Sequence, residues 1–206
     1  MKKIIFLIVT LLLISCKKND TDKTYSKVIN KREFPIKNYS KIELISYYNR
    51  NYWDTKFKGE FPIHKVLVDK YKLTFDSTMI QERVVLNKIQ EKELLNLMIS
   101  DSCSLDQIES ACYNPRHMIL FRDNKNRIIG YNEFCLECQS SRASDNLEDF
   151  QSYCYYDMSN LFKKFGITLF VENDDPKAIA KEEAFAEKIW QSKRLNKNTE
   201  IIQHKK

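Results

Sequence analysis

Glycine is nearly absent from this chain, and that limits what it can fold into more than any other feature. It occurs 3 times in 206 residues, at Gly59, Gly130 and Gly166, where average usage near ~7% would give roughly 14. No Gly-rich phosphate loop can be built, so a dinucleotide fingerprint and a P-loop are both excluded. Histidine also occurs 3 times, at His64, His117 and His204. That excludes multi-histidine metal sites and HExxH proteases. What remains is 43% hydrophobic and 30% charged, enough for one globular domain with a core.

The first sixteen residues speak to location. Lys2 and Lys3 precede an apolar run from Ile4 to Ile14, broken only by Thr10, and Leu13-Ile14-Ser15-Cys16 follows. The run of about eleven residues is well short of the ~20 that a spanning helix needs. An A-x-A-like cleavage site is missing. The segment resembles the bacterial lipoprotein signal peptide. The resemblance implies that residues 1–15 are removed, with Leu13 three places before the cut and Ser15 at it. Cys16 would carry diacylglycerol and acyl chains, because only a thiol can attack the lipid donor. Two or three acyl chains anchor stably where one does not. Residue 17 is Lys, not Asp, which favours the outer membrane if the host is diderm.

Residues 16–38 then read as lipidated Cys and flexible tether, about 25 Å of reach for ~20 residues. Residues 39–195 form a single α+β domain with one antiparallel sheet and a few packed helices. Residues 196–206 are a polar tail. Removing the leader lowers the formal charge of +6 by two, and the remaining charges are interspersed in sign. That suits solubility and weak attraction to anionic lipid, with no nucleic-acid footprint.

Within the domain, alternation over residues 41–48 predicts a strand, and 66–75 and 79–86 read as two more, joined through Asp76-Ser77-Thr78. Asn87 with Gln90 three residues on is a capping-box pattern for a helix to about Ser100. Residues 118–122 and 128–136 flank a polar turn at 123–126, the clearest hairpin. Met158, Leu161, Phe162 and Phe165 form a helical stripe closed by Gly166. Residues 167–171 read as a final strand. Asp175-Pro176 starts a last helix whose Ile179, Phe185, Ile189 and Trp190 face the domain or a partner.

Beyond Cys16 stand Cys103, Cys112, Cys135, Cys138 and Cys154, an odd number in a compartment where disulfides form. If Arg122 pairs with Arg127, the hairpin register brings Cys112 opposite about residue 137, near disulfide range of Cys135 or Cys138. Three readings stay open: a structural disulfide, a zinc or other metal site built from Cys112, His117, Cys135 and Cys138, and a thiol-redox CxxC pair. The stretch from Cys112-Tyr-Asn-Pro-Arg-His117 to Phe134-Cys135-Leu136-Glu137-Cys138 resembles a pattern of uncharacterised lipoproteins of low-GC Bacteroidota. That likeness implies that the four residues form one site.

Tyr48, Tyr52 and Trp53, with Tyr47 and Phe57 nearby, are candidate binding aromatics for a glycan, or core. Arg116, His117, Asp123, Glu133 and Glu137 could support acid–base work or be solvated strand charges. No catalytic residue is assigned. The leading expectation is a membrane-anchored extracytoplasmic lipoprotein, a non-catalytic binding or envelope scaffold domain. Its partners would be the bilayer, through Cys16, and an envelope protein or glycan. The alternatives are a cysteine-centred metal-binding or thiol-redox protein, and an immunity or inhibitor lipoprotein.

Overall fold

The computed structural model describes residues 33–54, 66–100, 103, 107, 112–172 and 174–203, with backbone alone for 193 and 195–203. Residues 1–32, with the expected leader and Cys16, and Phe57, His64 and His204 lie outside them. The fold is α+β. Five antiparallel strands form the main sheet: β1 (Lys41–Tyr47), β4 (Ile80–Val85), β5 (His117–Arg122), β6 (Ile128–Cys135) and β7 (Ser140–Ala143). Their spatial order is β4-β1-β5-β6-β7. A small hairpin, β2 (Val68–Asp69) with β3 (Lys72–Leu73), stands apart. The helices are α1 (Arg50–Trp53), α2 (Lys88–Met98), α3 (Tyr155–Lys164) and α4 (Pro176–Gln203).

Both sheet faces are covered, so the central strands are buried on alternating sides. Ile42, Leu44, Ile119, Phe121 and Phe134 pack with Leu94 and Met98 of α2 and with Met158, Leu161 and Phe162 of α3. Ile45, Tyr47, Met118 and Leu120 pack on the other side with Trp53, Leu67 and Ala186 of α4. Each such side chain contributes about 1.5–3 kcal/mol by leaving water.

Local chemistry sets the ends. The Asn87 side chain accepts from Ile89 N and Gln90 N, while the Gln90 side chain accepts from Asn87 N, the expected capping box. Asp175 Oδ1 accepts from Lys177 N and Ala178 N and starts α4. Gly166 takes φ 104° just past α3, where only glycine is unstrained.

Several expectations need correction. The packed domain begins earlier than residue 39: Ile36 is buried and Phe34 stacks on Phe121 and Phe150. Residues 66–75 are not one strand but the β2–β3 hairpin, because Lys70 and Tyr71 reverse the chain in left-handed backbone. The strand at 80–85 pairs with β1, and β7 is an unexpected addition. Residues 167–171 form no ladder. Thr168 N and Leu169 N donate instead to the Glu82 carboxylate. The α4 backbone runs to Gln203, past the expected end at 195.

The aromatic platform is also revised. Tyr48 and Trp53 are buried; Trp53 Nε1 donates to Tyr48 O, and Tyr48 stacks on Phe185 of α4 at 4.9 Å. Only Tyr52 of the three is exposed, at 36%. The short helix α1, capped by Asn49, turns these rings inward against α4.

Candidate functional site

The cysteines converge at one end of the sheet. Segment 112–116 leads into β5 and remains pinned to the sheet despite Asn114-Pro115. Arg116 N donates to Phe134 O, Tyr47 N to Arg116 O, and Arg50 N to Pro115 O. Asn51 Nδ2 donates to Tyr113 O, and Tyr113 Oη donates to Glu133 at 2.9 Å. The Arg142 guanidinium covers the Tyr113 ring at 4.2 Å. These contacts fix the residue next to Tyr113, which is Cys112.

Across from it, Cys135↔Ser140 is the last pair of the β6–β7 hairpin, and residues 136–139 form its turn. Cys135 and Cys138 are bridged across this turn, with α-carbons 5.2 Å apart, inside the normal disulfide range. Cys112 Sγ lies 2.7 Å from Cys138 Sγ. Cys112 is exposed, whereas Cys135 and Cys138 are fully buried. The register differs from the expected one: β5 and β6 pair as His117↔Phe134, with an irregularity at Phe121/Arg122. That moves the partner of Cys112 to Cys138.

A second bridge joins Cys103 and Cys154 over 51 residues, α-carbons 4.8 Å apart. Closing a loop of that length is worth about 4 kcal/mol on the chain-entropy model. Cys154 is also the residue that opens α3.

Charged groups back the hairpin turn. Glu137 Oε2 lies 3.8 Å from Cys135 Sγ and 3.7 Å from Arg116. Burial raises the Glu137 pKa; Arg116 opposes this, and Glu182 and Glu172 reinforce it. Arg116 is held from behind by both oxygens of Glu182, each at 2.7 Å. Glu182 is fully buried on α4 and also accepts from Asn49 N. Arg116 is thus a bidentate anchor between sheet and helix. Glu182 was not singled out from the sequence, although a lone carboxylate on the apolar stripe of Ile179, Phe185 and Ile189 is a signal for a buried partner.

The other candidates are placed elsewhere. His117 faces the α3 side of the sheet, its ring against Phe162 and Phe170 and its Nε2 bonded to Leu169 O at 2.8 Å. Alternation along β6 sends Cys135 to the opposite face from Phe134, the pairing partner of His117. The four-residue set of Cys112, His117, Cys135 and Cys138 is therefore not brought together as a unit; the three cysteines are.

Glu133 is fully buried and accepts from Tyr47 Oη, Tyr113 Oη and both Nε and Nη2 of Arg50. Asp123 shapes the β5–β6 turn and pairs with Arg127. Both are structural here.

Burial depresses the His117 pKa to about 4, with Arg116 adding to the effect. The native ring is neutral, so Nε2–H donates to Leu169 O. Between about pH 6.5 and pH 4 the unfolded chain binds a proton here that the native chain does not. Stability therefore falls as pH drops through that window, by roughly 3 kcal/mol at pH 4. We expect urea midpoints to fall accordingly, and His117→Gln to flatten this slope. An unchanged slope in that variant would assign the loss to other groups.

Comparison of the chain with protein-family models, curated proteins and solved structures gives no match.

Proposed function

We propose that this chain is a lipid-anchored, extracytoplasmic domain that performs thiol–disulfide exchange through Cys112, Cys135 and Cys138. The observation that carries the reading is the exposed Cys112 sulfur lying 2.7 Å from Cys138, itself bridged to Cys135. It moves the thiol-redox alternative ahead of the non-catalytic scaffold.

The chemistry balances. The Cys112 thiolate, its proton lost to solvent, attacks Cys138 Sγ. The Cys112–Cys138 bond forms and the Cys135–Cys138 bond breaks. Cys135 leaves as thiolate and takes a proton by way of Glu137, whose Oε2 lies 3.8 Å away and regains the proton from solvent. A thiolate of an external dithiol then attacks the exposed Cys112 sulfur and releases Cys138. The second external thiolate resolves that mixed disulfide and releases Cys112. The net result is one external disulfide formed and the Cys135–Cys138 pair reduced. Relative reduction potentials set the direction.

The test is adduct mapping. The oxidised full chain is mixed with a cysteine-containing peptide, quenched in acid and digested without reduction. The peptide should be found on Cys112. No adduct, or an adduct only on Cys135 or Cys138, contradicts the relay.

The anchor has its own test. Cys16→Ser should leave the protein out of the lipid-labelled membrane fraction. Unchanged lipid labelling in that variant would sink the anchor.

A further inference from the structure

A second feature is independent of the cysteines. A cleft of about 530 Å³ opens between the β2–β3 hairpin and the β5–β6 turn. Six of its lining residues are cationic: Lys70, Lys72, Arg83, Arg122, Lys125 and Arg127. No carboxylate lines it. Four carboxylates border it. Glu43 bonds Arg83 and Arg122, Asp123 bonds Arg127, Asp69 is the register partner of Lys72, and Asp76 stands between the lining Phe75 and Ser77. Six cations against four carboxylates leave an excess of positive charge. Among the described residues, Lys70, Lys72 and Lys125 make no ion pair, and all three are exposed.

The backbone at the same place is unusual. Among the described residues, four non-glycine residues have positive φ: Lys70 (46°), Tyr71 (66°), Asn126 (63°) and Gln139 (53°). Three of them line this cleft. Such backbone is sparsely populated by residues other than glycine and collects at functional sites; asparagine tolerates it best. The two turns are also tied together. Ile128 N donates to Tyr71 O, and the Arg127 guanidinium stacks on the Tyr71 ring at 4.8 Å. The strained tips thus form one built rim that presents three lysines over an arginine floor.

We infer that this cleft binds a phosphate-bearing anion. A single carboxylate does not need so many cations. A phosphate carries more charge and several acceptor oxygens, which lysine point charges and arginine forks satisfy together. The phosphate comes from an anionic lipid headgroup or from a soluble phosphate ester, and the test separates them.

The full chain is reconstituted in phosphatidylcholine vesicles. One arm adds inorganic pyrophosphate against sodium chloride at equal ionic strength. The other replaces half of the lipid by phosphatidylglycerol. Amide hydrogen exchange is read in 67–75 and 122–130. Bound ligand should slow exchange there by at least about fivefold. Slowing in the pyrophosphate arm assigns soluble phosphate; slowing in the phosphatidylglycerol arm assigns a headgroup; slowing in both supports the shared chemistry. The triple variant Lys70→Glu, Lys72→Glu, Lys125→Glu should lose it while exchange in β1 and β5 stays as in the parent. If β1 and β5 also change, Lys125→Glu alone, at an exposed turn position, serves as the variant and should weaken the protection. No slowing in either arm, or slowing that the variants retain in full, overturns the site.

Discussion

Glu133→Ala is expected to remove about 3–5 kcal/mol of folding stability, since it breaks a buried, bidentate ion pair. Glu133 and Arg50 are both fully buried. The carboxylate takes two hydrogen bonds from Arg50, at 2.8 and 2.9 Å, and one each from Tyr47 and Tyr113. Burial, and then the Glu133 charge, push both tyrosine pKa values far above the normal range, so the phenols stay protonated donors. After the substitution Asp54 still pairs with Arg50. Small domains hold only about 5–15 kcal/mol in total, so the variant should sit near its unfolding midpoint in mild urea. Adding Arg50→Met should recover part of the loss, because removing both members of a buried pair costs less than removing one. Equilibrium urea unfolding of the three proteins measures this. A loss below about 1 kcal/mol would mean that water reaches the pair. The same network locks Tyr113, so Glu133→Ala should also loosen Cys112 next to it.

The second large effect is kinetic. In Cys112→Ser, reduction of the Cys135–Cys138 bridge by an external thiol should slow by on the order of 100-fold. Both bridged sulfurs are fully buried, while Cys112 is exposed. An adjacent thiolate attacks with a high effective concentration, and a solvent thiol must wait for local opening. Glu137→Gln should slow the same reaction more modestly, because the leaving Cys135 thiolate loses its nearby proton donor at 3.8 Å. Stopped-flow reduction followed by alkylation and mass analysis reads both variants. Equal rates in wild type and Cys112→Ser would make Cys112 a bystander. Unfolding midpoints of Cys112→Ser should change little, since the residue is at the surface.

Much of the fold was legible because local chemistry and tertiary structure agree. The Asn87–Gln90 capping box, the Asp175-Pro176 start and the Gly166 stop act within a few residues. The hairpin at 117–135 was legible because a polar turn separates two apolar runs. Register was less so: one irregularity at Phe121/Arg122 shifts every pair beyond it. The β2–β3 hairpin was hidden because Lys70 and Tyr71 lack the Asn-Gly signature of such turns. Segment 167–171 reads as a strand by composition, yet its amides go to the Glu82 side chain.

The site divides in the same way. That Cys112 approaches Cys138 follows from pairing distance along a hairpin. That His117 turns to the other face depends on its position one step before Met118 in the β5 alternation. The role of Glu182 depends on a helix packing against the sheet from 66 residues away. The cationic cleft gathers three stretches, near 70, 83 and 125, whose charges look evenly mixed along the chain.

In the proposed relay the sulfurs of Cys112, Cys135 and Cys138 share one mobile bond. The full chain, purified without chelators, is quenched in acid, alkylated and digested without reduction, with zinc measured on the same sample. The expected result is a resistant Cys103–Cys154 bridge, no stoichiometric zinc, and two linkages in exchange, Cys135–Cys138 and Cys112–Cys138. The alkylated thiol should be divided between Cys112 and Cys135. Stoichiometric zinc with all three thiols alkylatable, or a Cys135–Cys138 bridge that never gives way to Cys112–Cys138, would contradict it.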